Sequence, residues 1–111
     1  MSTRANILIT DGMDSMWFYR HSDGYPEGTM PTLELFLSWV KDGYIRDNVG
    51  QSAGWLIMIG NTEYHKKQIP TKDGYSGWKV GSYEPTTCQH GDIEFLYTID
   101  LIKKTIEVKA I

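Results

Sequence analysis

The sequence predicts an α+β domain, an antiparallel sheet of about five strands with one or two helices packed on one face. Three patterns carry that expectation. Apolar residues alternate near the start at Ala5, Ile7 and Ile9, and again near the end at Ile93, Phe95, Tyr97 and Ile99 and at Ile106, Val108 and Ala110. Leu33, Phe36, Leu37, Val40 and Tyr44 instead recur at helical spacing. Period two marks a strand with one buried face, and a period near 3.6 marks an amphipathic helix.

In chain order, Ala5 to Thr10 is the first strand, and Asp11-Gly12-Met13-Asp14 is turn chemistry leading into a second strand from Ser15 to His21. Strict alternation sets Trp17, Tyr19 and His21 on one face of that strand and Met16, Phe18 and Arg20 on the other. Ser22 to Gly28, with two Gly and a Pro, reads as a loop. Thr29 is then the expected N-cap of a helix with Pro31 in its first turn, and Gly43 helps end it. The run from Asn48 to Lys67 fits either a buried strand or a helix, with Ala53, Ile57, Gly60 and Tyr64 on one helical face, and helix is favoured over 52–64. A loop from Gln68 to Gly77, a strand from Trp78 to Tyr83 and a polar loop from Glu84 to Gly91 follow. The C-terminal strands, joined through Leu101 to Lys104, suit an antiparallel hairpin.

Composition narrows the class of protein. At 111 residues the chain is expected to form one domain, residues 1–111, burying roughly two-thirds of its unfolded surface. Four Trp, seven Tyr and three Phe supply a core. A net charge of -3, with basic doublets only at Lys66-Lys67 and Lys103-Lys104, argues against general nucleic-acid binding. The single Cys88 has no internal disulfide partner, no stretch is long enough to span a membrane, and the start holds no apolar signal core. A cytoplasmic protein is expected.

Two groups of residues invite chemistry. His21 and Asp23 stand two apart at a strand end, and Cys88, His90, Asp92 and Glu94 lie in or after a later loop. Converging, they could hold a metal or move protons as a small hydrolase, although the spacing follows no established zinc pattern. Asp23-Gly24 also has a purely architectural use in a turn. Tyr25-Pro26-Glu27-Gly28 leads toward a helix N-terminus, whose N–H groups together with Arg4, Arg20 and His21 could meet a phosphate. Tyr19, Tyr25, Tyr83 and Glu84 complete the candidate binding residues, the aromatics because rings beside loops often contact partners. The residues single out no catalytic nucleophile, no resident metal and no cofactor.

Ser2-Thr3-Arg4-Ala5-Asn6-Ile7, Tyr19-Arg20-His21-Ser22-Asp23-Gly24-Tyr25-Pro26 and Gly91-Asp92-Ile93-Glu94-Phe95-Leu96-Tyr97 resemble a family of small uncharacterised phage and bacterial proteins, nearly end to end. The resemblance implies context: small phage and prophage accessory proteins often block host processes. It suggests a counter-defence protein acting by occupancy through the stretch Tyr19 to Gly28, on a bacterial host defence protein or on a phosphorylated nucleotide-like ligand. A metal-dependent or acid/base hydrolase is one alternative. A structural protein whose sheet edge pairs with another copy, as a homo-oligomer, is a second.

Overall fold

The structure is a computed structural model that describes residues 2–63 and 81–111. A five-stranded sheet carries two helices, in an α+β fold. The chain runs β1 (Ala5–Thr10), β2 (Ser15–Arg20), α1 (Pro26–Lys41), α2 (Val49–Gly60), β3 (Glu84–Thr86), β4 (Phe95–Asp100) and β5 (Thr105–Ala110). The sheet order is β3-β2-β1-β4-β5.

Both predicted hairpins form. Asp11 closes the first turn by accepting from the N–H groups of Met13 at 3.0 Å and Asp14 at 2.8 Å. Asp100 does the same for Ile102 and Lys103 in the second. The hairpins then dock through their first strands, and β1 and β4 run parallel, Ala5 opposite Phe95 through Thr10 opposite Asp100. The sheet is therefore mixed but mostly antiparallel, in line with the antiparallel α+β sheet that the sequence predicts, the parallel pairing of β1 with β4 being the one addition. Each hairpin is coded locally; the crossover that returns the chain to its starting end is not.

Helix α1 starts at Pro26, three residues before the expected cap. Tyr25 occupies the N-cap position with no side-chain cap, and Pro26 suits the first turn because its missing N–H has no helical partner there. Thr29 is buried inside the helix and donates its hydroxyl to the Asp23 carbonyl at 2.8 Å. The helix ends at Lys41, and Gly43 takes the left-handed conformation at φ +77° that such an end favours. Tyr44 consequently leaves the helical stripe, is 68% exposed, and meets Trp39 and Trp55 edge to face. The ambiguous apolar run is helical: Asn48 caps α2, accepting from Gln51 N–H at 2.9 Å.

The expected strand from Trp78 to Tyr83 lies partly outside the described residues, as do Tyr64, the Lys66-Lys67 doublet and the loop from Gln68 to Gly77. Gly81 to Tyr83 are not in a strand; the ladder begins at Glu84, inside the expected loop. Pro85 is tolerated there because β3 is an edge.

One face of the sheet and the two helices enclose the core. Ala5, Ile7 and Ile9 of β1, Phe18 of β2, and Tyr97 and Ile99 of β4 pack with Leu33, Phe36, Val40, Ala53 and Leu56. The opposite face carries Asn6, Leu8, Trp17, Tyr19, Leu96 and Thr98. Its β2 end is where the candidate site forms.

Candidate functional site

The alternation of β2 sorts the candidate residues between the two faces. Phe18 and Arg20 turn under the helices, while Tyr19 turns to the opposite side and His21 follows it. Tyr19, only 4% exposed, is the buried centre of the cluster. Its ring stacks on His90 at 4.0 Å between centroids and 20° between planes, and meets His21 edge-on at 4.5 Å and 87°. Its hydroxyl donates to Asp92 Oδ2 at 2.7 Å, and Arg4 Nε lies 3.4 Å from the same oxygen. His21 Nε2 lies 3.4 Å from Glu84 Oε1 on the neighbouring strand. The two segments that sequence spacing left unconnected therefore meet on either side of one tyrosine.

The backbone explains the convergence. Arg4 immediately precedes β1, and its carbonyl accepts from the Glu94 N–H at 2.8 Å just before β4. That bond holds Asp92 beside Arg4. Asn6, the fully buried second residue of β1, donates to the Phe18 carbonyl at 2.8 Å and accepts from the His90 N–H at 2.7 Å. Thr86 Oγ1 lies 2.9 Å from His90 Nε2. Asn6 and Thr86 thus clamp the loop after β3 against the sheet. The sequence did carry a signal for Asn6, since an amide in a run of aliphatic residues disfavours a strand unless it has a specific partner.

Electrostatics fix the protonation of this pair. Burial, and then the bond and charge of Asp92, push the Tyr19 phenol up to about 12. The Tyr19 hydrogen bond first, and the Arg4 charge second, hold the Asp92 carboxyl below its usual value. At neutral pH Tyr19 is a neutral donor and Asp92 a fixed anion, so neither is poised to exchange a proton. Asp92, Glu84, Arg4 and His21 remain partly open to solvent, with side-chain exposures of 55%, 50%, 43% and 36%. Cys88 and Glu94 are exposed. Among the described residues no three His, Cys, Asp or Glu side chains are placed to hold a metal.

The remaining candidates lie on the helix side. Arg20 is 1% exposed and pairs with Glu63, donating from Nη1 to Oε1 at 3.1 Å and from Nη2 to Oε2 at 2.6 Å. It also donates to the carbonyls of Asp23 and Gly28 at 3.3 Å and sits 4.9 Å over the Tyr83 ring. Tyr83 is 3% exposed, and burial raises its phenol. Asp23 is held at φ +56°, its carbonyl taken by Arg20 and Thr29, and its carboxylate lies 3.5 Å from the hydroxyl of Tyr25, which is 39% exposed. Gly24 is required by a close approach: a Cβ there would stand 2.8 Å from Ala5 Cβ and 2.9 Å from the Thr3 carbonyl oxygen. At the start of α1, the N–H groups of Gly28 and Thr29 bond to the Tyr25 carbonyl, and Glu27 stands in the first turn. These contacts hold β2, the following loop and the start of α1 together.

Among the described residues no helix is long and apolar enough to cross a membrane. Comparison of the chain with protein-family models, with curated proteins and with solved structures finds no match in any of the three.

Proposed function

We propose that the protein acts by binding rather than turnover, occupying a partner protein through the surface that Arg4, His21, Glu84, His90 and Asp92 form over the buried Tyr19. The observation that carries this reading is the central tyrosine, braced by two imidazoles and donating to an ionised carboxylate that is itself exposed. Such a surface presents charges of both signs in fixed positions, which favours specific recognition of a complementary protein surface. The resemblance to small uncharacterised phage and bacterial proteins supplies the context in which that partner is a bacterial host defence protein and the role is counter-defence by occupancy. A phosphorylated nucleotide-like ligand fits less well, because Arg20 faces Glu63 inside the protein and an acidic side chain stands at the start of α1.

Glu84→Arg and Arg4→Glu reverse exposed charges without touching the core. Affinity capture from bacterial host lysate, quantified against each variant, is expected to recover a protein with the wild type and lose it with both. Capture that survives both reversals removes this surface as the binding site. Calorimetric titration of nucleotides that gives heat with the wild type and none with the variants transfers the role to a small ligand.

A further inference from the structure

The outer edge of β5 carries an inference independent of that surface. β5 borders the sheet, and among the described residues no strand lies beyond it. All of its residues except Ile106 are exposed, Val108 at 41%. The opposite border is different: β3 is three residues long and contains Pro85. Shortness and proline both blunt an edge against pairing, and β5 has neither.

The ladder fixes which backbone groups of β5 face outward. The Ile111 N–H donates to the Glu94 carbonyl at 2.9 Å, and the register runs without interruption from Phe95 opposite Ala110 to Asp100 opposite Thr105. Bonded and non-bonded pairs alternate along antiparallel strands. Thr105, Glu107 and Lys109 therefore turn their N–H and C=O groups toward β4, while Ile106, Val108 and Ala110 turn theirs away from the sheet.

We propose that the protein forms a homodimer by antiparallel pairing of β5 with β5 of a second copy, about a two-fold axis at Val108. In that register Val108 bonds reciprocally to Val108 of the second copy, and Ile106 to its Ala110. Glu107 then stands opposite Lys109 of the second copy, and Lys109 opposite its Glu107. These are non-hydrogen-bonded positions, where facing side chains come closest and opposite charges stabilise the pair. An axis one residue earlier sets Glu107 against Glu107, and one residue later sets Lys109 against Lys109. An axis at Ile106 sets Glu107 against Thr105 and an axis at Ala110 sets Lys109 against Ile111, so neither brings Glu107 and Lys109 together, and both shorten the overlap. The sequence of this strand is therefore self-complementary in one register. The same register covers Val108, which lies with Ile106 and Ala110 on the side of the sheet that α1 overlies. The closed two-fold contact also leaves no edge for further growth at β5.

Sedimentation equilibrium of the full chain from micromolar to millimolar concentration tests this. The wild type is expected to dimerise reversibly. Val108→Pro deletes an outward N–H without removing a bond to β4, and is expected to weaken association about a hundredfold with native circular dichroism. Glu107→Lys is expected to weaken it about tenfold, and adding Lys109→Glu to restore it. The charge exchange decides the matter if Val108→Pro fails to fold. A monomer at millimolar concentration, or a dimer indifferent to the charge exchange, overturns the proposal.

Discussion

Arg20 and Glu63 form a two-pronged ion pair beneath the helices, the guanidinium 1% and the carboxylate 12% exposed. The pair joins the end of β2 to the segment after α2, and the same guanidinium reaches the carbonyls before and within α1. Removing one partner of a buried pair leaves the other charge without compensation. Arg20→Met is expected to cost about 3 kcal/mol in urea unfolding. Glu63→Leu alone is expected to cost a comparable amount, and the double variant distinctly less than the sum, because neither charge is then stranded. Additive losses would show that the two side chains act independently.

Tyr19 and Asp92 predict a response at alkaline pH. The phenol is raised in the folded protein, from an ordinary value near 10 to about 12, by burial and then by Asp92. A raised tyrosine favours the folded state fully below its unfolded value, and that contribution disappears as pH climbs through the folded one. Stability is therefore expected to fall between about pH 10 and pH 12, and Tyr19→Phe is expected to flatten this decline. Asp92→Asn should bring the Tyr19 titration down only partway, because burial is the larger cause. Tyrosinate absorbance, read as the difference between wild type and Tyr19→Phe, measures both. Asp92 has the opposite sign: its lowered carboxyl contributes above its unfolded value and loses that contribution as pH falls through the folded one. Acid titration of Tyr19→Phe is expected to shift the Asp92 transition upward.

The sequence makes the two hairpins and the first helix legible because each is coded by nearby residues, through alternation, the Asp11 turn and a helical apolar stripe, whereas the apolar run of α2 fits strand and helix alike by periodicity. The parallel meeting of β1 and β4 goes unread, since Ala5 and Phe95 carry no mark of their pairing. The strict alternation of β2 already separates Arg20 from Tyr19 and His21, and the structure follows it. Arg20 does reach the start of α1, where it donates to the Asp23 and Gly28 carbonyls, and its charge is paired there with Glu63, a partner that no local window of sequence marks. His90 and Asp92 are recognisable as polar loop residues, but their approach to Tyr19 depends on Asn6, a long-range clamp whose partners lie outside any local window. The start of α1 at Pro26 was obscured because Thr29 is a plausible cap by residue type. Its hydroxyl is used instead to hold the Asp23 carbonyl.

Gly60 and Tyr83 set a further test, in which local preference and packing oppose each other. Gly60 is the last residue of α2, and alanine is the better helix former by about 1 kcal/mol in a helix interior and by less at an end. Yet a Cβ at Gly60 would run into the Cδ2 and Cε2 atoms of the Tyr83 ring. That ring is 3% exposed and carries Arg20 at 4.9 Å, so it has little freedom to retreat. Overpacking a filled site costs about 1–3 kcal/mol, more than the helical gain. Gly60→Ala is therefore expected to destabilise the protein by about 2 kcal/mol in urea unfolding, against the direction that helix propensity gives. In a Tyr83→Leu background, where the ring is gone, the same substitution is expected to be neutral or slightly stabilising. An equal loss in both backgrounds would place the cost in the backbone of α2 rather than in the contact with Tyr83.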